Sequence, residues 1–221
     1  MSLAIKDGMF PVSRDKDYFK NNIKMVIEEY HNKIIGITSL TAVQMDTFNN
    51  KHHQIYELFY PKEEIERMEK YHNQARILSA NVGRLFDKIV KFIITDKEGG
   101  QSEYIDNYNG HPKKFEIDVM NHHKKIAYEI KWRDAGTDGD HKAKEYRKVD
   151  TLVALGYKPI RLTFYLPELK RSANSQRQII EYYNKFGESY TEDKAFEYVN
   201  KLGGIDLMKI LNEYKGLASA S

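Results

Sequence analysis

Residues 115–120, FEIDVM, and 126–132, IAYEIKW, alternate apolar and charged side chains with a period of two. That period commits both stretches to β-strands, each with one apolar and one charged face. Phe115, Ile117 and Val119 are expected on one face of the first strand, with Glu116 and Asp118 on the other. In the second, Ile126, Tyr128, Ile130 and Trp132 oppose Glu129 and Lys131. Pairing across the MNHHKK turn is expected to bring Asp118, Glu129 and Lys131 onto one face, converging at a sheet edge.

The flanking sequence says what packs on the apolar faces. Upstream, NVGRLFDKIVKFII carries Val82, Leu85, Phe86, Ile89, Val90 and Ile93 as one apolar stripe at helical spacing, wide enough to cover a sheet. Before it, Phe19, Ile23, Val26, Ile27 and Tyr30 recur at helical spacing. A second helical stretch is read over Ala42 to Phe59, and Pro61 opens a third, KEEIERMEKYHNQARIL, with a charged outer face. Glycine-containing turns over residues 96–136 divide a meander of about three strands. A helix then opens near Asp138 to Asp140 and ends around Gly156, with IRLTFYL following as a fourth strand. From Lys170 to Tyr214 the chain reads as two or three helices divided by Gly187 and Gly203-Gly204. The order predicts an α/β fold with a mixed β-sheet flanked by helices. A chain of 221 residues is read as one domain: a helical N-terminal region over 1–79, an αβββαβ core over 80–170, and a helical C-terminal region over 171–221.

Two carboxylates about 4 Å apart repel by roughly 4 kcal/mol at an effective dielectric near 20, so such a pair implies a shared proton or a bound cation. Beside a lysine, a cation is the useful solution. Oxygen ligands without thiolate or imidazole suit a hard ion such as Mg²⁺, which keeps several waters and bridges to phosphate. Water activated in this way attacks phosphorus, while Lys131 holds or helps deprotonate it and offsets the charge that builds up. The chemistry this pattern points to is phosphodiester hydrolysis. A bare ExK triplet is weak support, since others stand at Glu168 to Lys170, Glu192 to Lys194 and Glu213 to Lys215, with DxK at Asp140 to Lys142. Only the triplet at 129–131 lies on an alternating strand with an Asp on another such strand eleven positions earlier.

The run EIDVMNHHKKIAYEIKWRDAGTDGDHKAKEYRKV, followed by GYKPIRLTFYLP, resembles the ApaLI-type restriction endonucleases of the PD-(D/E)xK superfamily. The likeness spans roughly residues 80–200, with Ile117 where the superfamily's name has Pro. The resemblance implies a restriction-endonuclease-like core with helical N- and C-terminal additions, and a type II restriction endonuclease. It also implies Mg²⁺, double-stranded DNA as partner, and a homodimer cutting a palindrome. Asp118, Glu129 and Lys131 become the catalytic residues, and the metal falls to Asp118, Glu129 and the backbone carbonyl of Ile130. Such nucleases often carry a further acidic residue on the helix before the meander, and Asp87 stands in that kind of position, in a supporting role.

Candidates for DNA contact are Arg133 after the motif strand, His141 and Lys142 after the acidic turn Thr137 to Asp140, and Lys170, Arg171 and Arg177 in KRSANSQRQIIEYYNKF. Each also fits a solvated face or a helix cap. Trp132 points to the apolar side and is assigned to the core. The histidine pairs 52–53 and 122–123 lack an acidic partner at ligand spacing, so they read as turn or loop residues rather than a zinc site. The net charge of +3 fits nucleic acid without requiring it. Zero cysteines excludes thiolate chemistry and disulfides. Neither a membrane span nor the apolar centre of a signal peptide is visible, so the expected location is the cytoplasm. Two other readings remain: a structure-selective or repair nuclease on the same core, and a DNA-binding protein of this fold that does not cut.

Overall fold

A computed structural model describes residues 16–44, 53–107, 110–133, 139–168 and 170–215. Its centre is a five-stranded mixed sheet in the order β1-β2-β3-β4-β5: β1 (Gln101–Asp106), β2 (Lys114–Asn121), β3 (Ile126–Arg133), β4 (Lys158–Tyr165) and β5 (Glu188–Thr191). The first three strands form the antiparallel meander expected from sequence, and β4 and β5 join parallel to β3. Helix α4 (Gly139–Ala154) makes the β3-to-β4 crossover and α5 (Lys170–Phe186) leads from β4 to β5. Helices α1 (Lys16–Gln44), α2 (His53–Tyr56) and α3 (Lys62–Glu98) precede the sheet, while α6 (Asp193–Gly203) and α7 (Leu207–Glu213) follow it.

Two apolar layers sandwich the sheet. On one side Phe86, Ile89, Val90 and Ile93 of α3 meet Val119, Tyr128, Ile130, Leu162 and Phe164, with Phe19 and Ile23 of α1 and Val199 of α6 closing the layer. On the other, Phe115, Ile117, Met120 and Ala127 pack with Leu152 and Tyr157. At about 1.5–3 kcal/mol for each fully buried large apolar side chain, these layers fix which way each strand faces.

Four expectations change. Strict alternation in β2 fails: Val119 faces α3, while Phe115, Ile117 and Met120 face the other layer. The cause is a β-bulge, because Gln101 pairs with Met120 and Glu103 with Ile117, leaving Ser102 alone opposite Asp118 and Val119. The third helical stretch and the apolar stripe are one helix, α3, which runs through the expected 79/80 boundary without a break. The stretch over Ala42 to Phe59 divides: α1 carries on to Gln44, residues 45–52 lie outside the described residues, and after α2 the chain turns at 57–60. Finally, β5 lies within the region read as wholly helical. A Cβ at Gly187 would come within 1.9 Å of the Pro159 carbonyl oxygen, so glycine there permits the close approach that starts β5 beside β4. Among the described residues, no helix is long and apolar enough to cross a membrane.

Candidate active site

The β2–β3 ladder runs only from Asn121↔Ile126 to Val119↔Tyr128, and the next rung would have paired Asp118 with Glu129. The strands part there because the bulge turns Asp118 out of the ladder, and its Oδ2 accepts the Ile130 N–H at 2.7 Å. A carboxylate thus satisfies a backbone donor that the lost rung would leave unpaired. Next to this fork an open cleft of about 500 Å³ is lined by residues including Arg84, Asp87, Lys91, Asp118, Lys131 and Arg133.

The motif residues reach the fork from two sides rather than from one shared face. Asp118 turns toward α3, where Lys91 Nζ lies 2.8 Å from its Oδ1 and 3.0 Å from Asp87 Oδ2. Glu129 and Lys131 turn toward α4: Lys131 Nζ is 2.6 Å from Glu129 Oε1, and Lys148 Nζ is 2.7 Å from Glu129 Oε2. Trp132, on the opposite face of β3, packs at 4.7 Å on Phe86 and at 4.7 Å on Tyr165, half-buried against the core and also lining the cleft.

Burial pushes the Asp118 carboxyl up to about 6, and the charges of Glu129 and Asp87 push it the same way against Lys91 and the Ile130 N–H. Burial also raises Asp87, with Lys91 opposing. For Glu129, burial alone would favour the neutral acid, but the cations of Lys131, Lys148 and Arg161 hold it below the usual carboxylate range. Lys131 is likewise desolvated, yet Glu129 and Glu145 keep its ammonium above the ordinary lysine value. The site at neutral pH therefore contains an ionised Glu129, a charged Lys131 and an Asp118 that is costly to ionise.

Behind Glu129 lies a buried polar group that sequence reading missed. Arg161, fully buried on β4, donates to Glu145 Oε2 at 2.8 Å and to Gln176 at 3.3 Å. The Tyr183 hydroxyl donates to the same Glu145 oxygen at 3.1 Å. One signal was available: an arginine inside the apolar run IRLTF of a parallel strand has to be buried and paired. Lys91 was also legible, because i,i+4 spacing from Asp87 puts the two on one helix face. Lys148 was not, since its partner is 19 positions away on another element.

The DNA-contact candidates are scattered. Arg133 lines the cleft and donates to Ser79 Oγ at 2.7 Å. His141 and Lys142 sit in the first turns of α4, with Lys142 donating to Gln178 at 2.8 Å, and Arg177 is exposed on α5. The side chains of Lys170 and Arg171 lie outside the described residues, as do Thr137 and Asp138 of the acidic turn. Arg84, exposed at the cleft, was not singled out from sequence. Of the histidines, His122 binds Tyr157 at 2.6 Å and Glu103 at 2.8 Å, His123 is exposed, and the side chains of His52 and His53 are outside the described residues.

A mixed sheet with an antiparallel meander, parallel strands joined by a helical crossover, and a cleft of carboxylates and cations at a strand fork is the core of the restriction-endonuclease-like class. Residues 14–216 match the ApaLI-like restriction endonuclease family, and the chain belongs to that family. It is accordingly a DNA-binding nuclease, and restriction endonucleases generally use divalent metal ions. No curated protein and no solved structure matches the chain.

The donor set suits a hard cation. Asp118 and Glu129 offer oxygen alone, and burial together with the charges of Glu129 and Asp87 makes the Asp118 carboxylate costly to ionise, a cost that a cation would relieve. Among the described residues no group of three or more His, Asp or Glu is arranged to hold an ion, so water, backbone and substrate oxygens would complete the shell.

Proposed function

We propose that the protein is a type II restriction endonuclease of the PD-(D/E)xK kind, hydrolysing both strands of a palindromic DNA site with Mg²⁺. The observation that carries this reading is the fork, where Asp118 takes the Ile130 N–H and Lys131, paired with the buried Glu129, lines the same cleft. Asp118, Glu129 and the Ile130 carbonyl would hold the ion. When bound, Mg²⁺ supplies Lewis-acid polarisation of the phosphate and lowers the pKa of water.

The chain's own groups do the rest. Lys131, kept charged by Glu129 and Glu145, acts as a donor to the attacking water and to the phosphate oxygens rather than as a base. Lys148 fixes the second Glu129 oxygen and so orients the carboxylate from below. Asp87 acts in support through the ammonium it shares with Asp118. Arg84 and Arg133 at the cleft neutralise backbone phosphates, and Lys142 on α4 and Arg177 on α5 are further candidates for phosphate contact away from it.

A homodimer would present two such clefts with two-fold symmetry, matching a palindrome. Support comes from α2, the turn after it and the first half of α3, where Ile55, Leu58, Phe59 and Tyr71 are 63–77% exposed, more apolar exposure than a lone monomer usually shows. The test is digestion of plasmid and genomic DNA with and without Mg²⁺, with the fragment ends sequenced. Discrete Mg²⁺-dependent fragments with one palindrome at every end are expected. Cutting confined to branched or damaged duplexes would replace this reading with the repair nuclease. Binding without cutting of any DNA would replace it with the non-catalytic protein.

A further inference from the structure

Both oxygens of Asp118 are engaged: Oδ2 accepts the Ile130 N–H, and Oδ1 faces Lys91 Nζ at 2.8 Å. The same ammonium is 3.0 Å from Asp87 Oδ2, so one lysine bridges two carboxylates that would otherwise repel across the cleft. A divalent ion sits about 2.0–2.1 Å from its carboxylate ligands when it is Mg²⁺, which would bring it within a few ångströms of Nζ. At that separation a divalent ion and the ammonium repel each other and compete for the Asp118 carboxylate.

We infer that Lys91 is an internal counter-cation that occupies Asp118 until a divalent ion displaces it, so that metal loading and release of this lysine are one exchange. Its place in the fold suits the role. Lys91 stands on α3 at the wall of the open cleft, where a four-carbon stem has space to swing aside, whereas Lys148, the second lysine on Glu129, is buried and has none. The bridge also spares the metal-free protein the repulsion between Asp87 and Asp118. The inference rests on the proposed metal role of Asp118 and adds a competitor for it.

The experiment is Mn²⁺ binding followed by electron paramagnetic resonance without DNA, on wild type, Lys91→Gln, Lys91→Arg and Asp118→Asn. Mn²⁺ is the probe because it takes the same oxygen ligands as Mg²⁺. Lys91→Gln is expected to bind at least about tenfold more tightly than wild type, because the competing charge is gone. Lys91→Arg, which keeps that charge, should stay near wild type, and Asp118→Asn should lose the ion. Equal or weaker binding by Lys91→Gln, with binding still lost in Asp118→Asn, overturns the exchange and leaves the metal reading standing. Binding that survives Asp118→Asn, or none in wild type and Lys91→Gln alike, overturns the metal reading and the exchange with it. A crystal structure of the wild type soaked in Mn²⁺ tests the same point without a variant. Lys91 Nζ is expected to have left hydrogen-bond reach of Asp118, and persistence of that contact beside a bound ion would overturn the inference.

Discussion

On the α3 side of the fork two carboxylates, Asp87 and Asp118, share one ammonium; on the α4 side one carboxylate, Glu129, is held by two. The pair at the cleft has one ammonium between two carboxylates, and the buried carboxylate has two ammoniums to itself. The difference follows from solvent access. A buried acid without cations would take a proton, so Glu129 stays ionised only because Lys131, Lys148 and Arg161 surround it. At the cleft wall, Asp118 can carry a deficit that an ion from solution corrects. Charge that is permanent lies on the inside, and charge that is exchangeable lies at the mouth.

The contrast breaks first on the buried side. Arg161→Ala leaves Glu145 without its guanidinium partner and removes one of the cations around Glu129, so it should cost about 3–5 kcal/mol of stability in urea unfolding. A loss under 1 kcal/mol would mean that solvent reaches this group and that the two sides do not differ.

Lys148→Met keeps the volume but frees one Glu129 oxygen. Cleavage should slow by about 10–100-fold with DNA binding nearly unchanged, as expected of a residue that orients a ligand without touching substrate. An equal loss in DNA affinity would make Lys148 a phosphate contact instead.

The smallest effect has the opposite sign. Asp118 titrates near 6 in the folded chain against an ordinary 3.8, so between those values the folded state binds more protons than the unfolded one. The stability this group contributes is therefore complete below about pH 4 and is lost as pH rises through about 6. Asp118→Asn should make the metal-free protein more stable than wild type by about 1–2 kcal/mol at pH 8, a gap that closes near pH 4 in thermal melts. A variant less stable than wild type at pH 8 would show that the Lys91 pair outweighs burial.

How much of this was legible in the sequence depends on how far each signal reaches. Alternation in β2 and β3 and the stripe on α3 are local, periodic and tied to burial, so the core order αβββαβ could be read directly. The bulge at Asp118 could not, because it is a property of the pairing between β1 and β2 and leaves no mark within FEIDVM. For the same reason Asp118, Glu129 and Lys131 were expected on one face, whereas they meet across a gap. β5 is only four residues long and flanked by helices, too short for a period to declare itself. The partners that hold Glu129 come from α4 and β4, and nothing in one sequence marks such long-range pairs.

The proposed cutting site is the Glu129–Lys131 pair at the fork. Its most direct test is single-turnover cleavage of plasmid DNA in Mg²⁺ by wild type, Glu129→Ala and Lys131→Ala, at matched DNA binding. The account predicts that each variant binds DNA but cuts at least about 10³-fold more slowly, the loss expected when a group that stabilises the transition-state charge is removed. Variants that cut within a few-fold of wild type would contradict it and move the active site away from this fork.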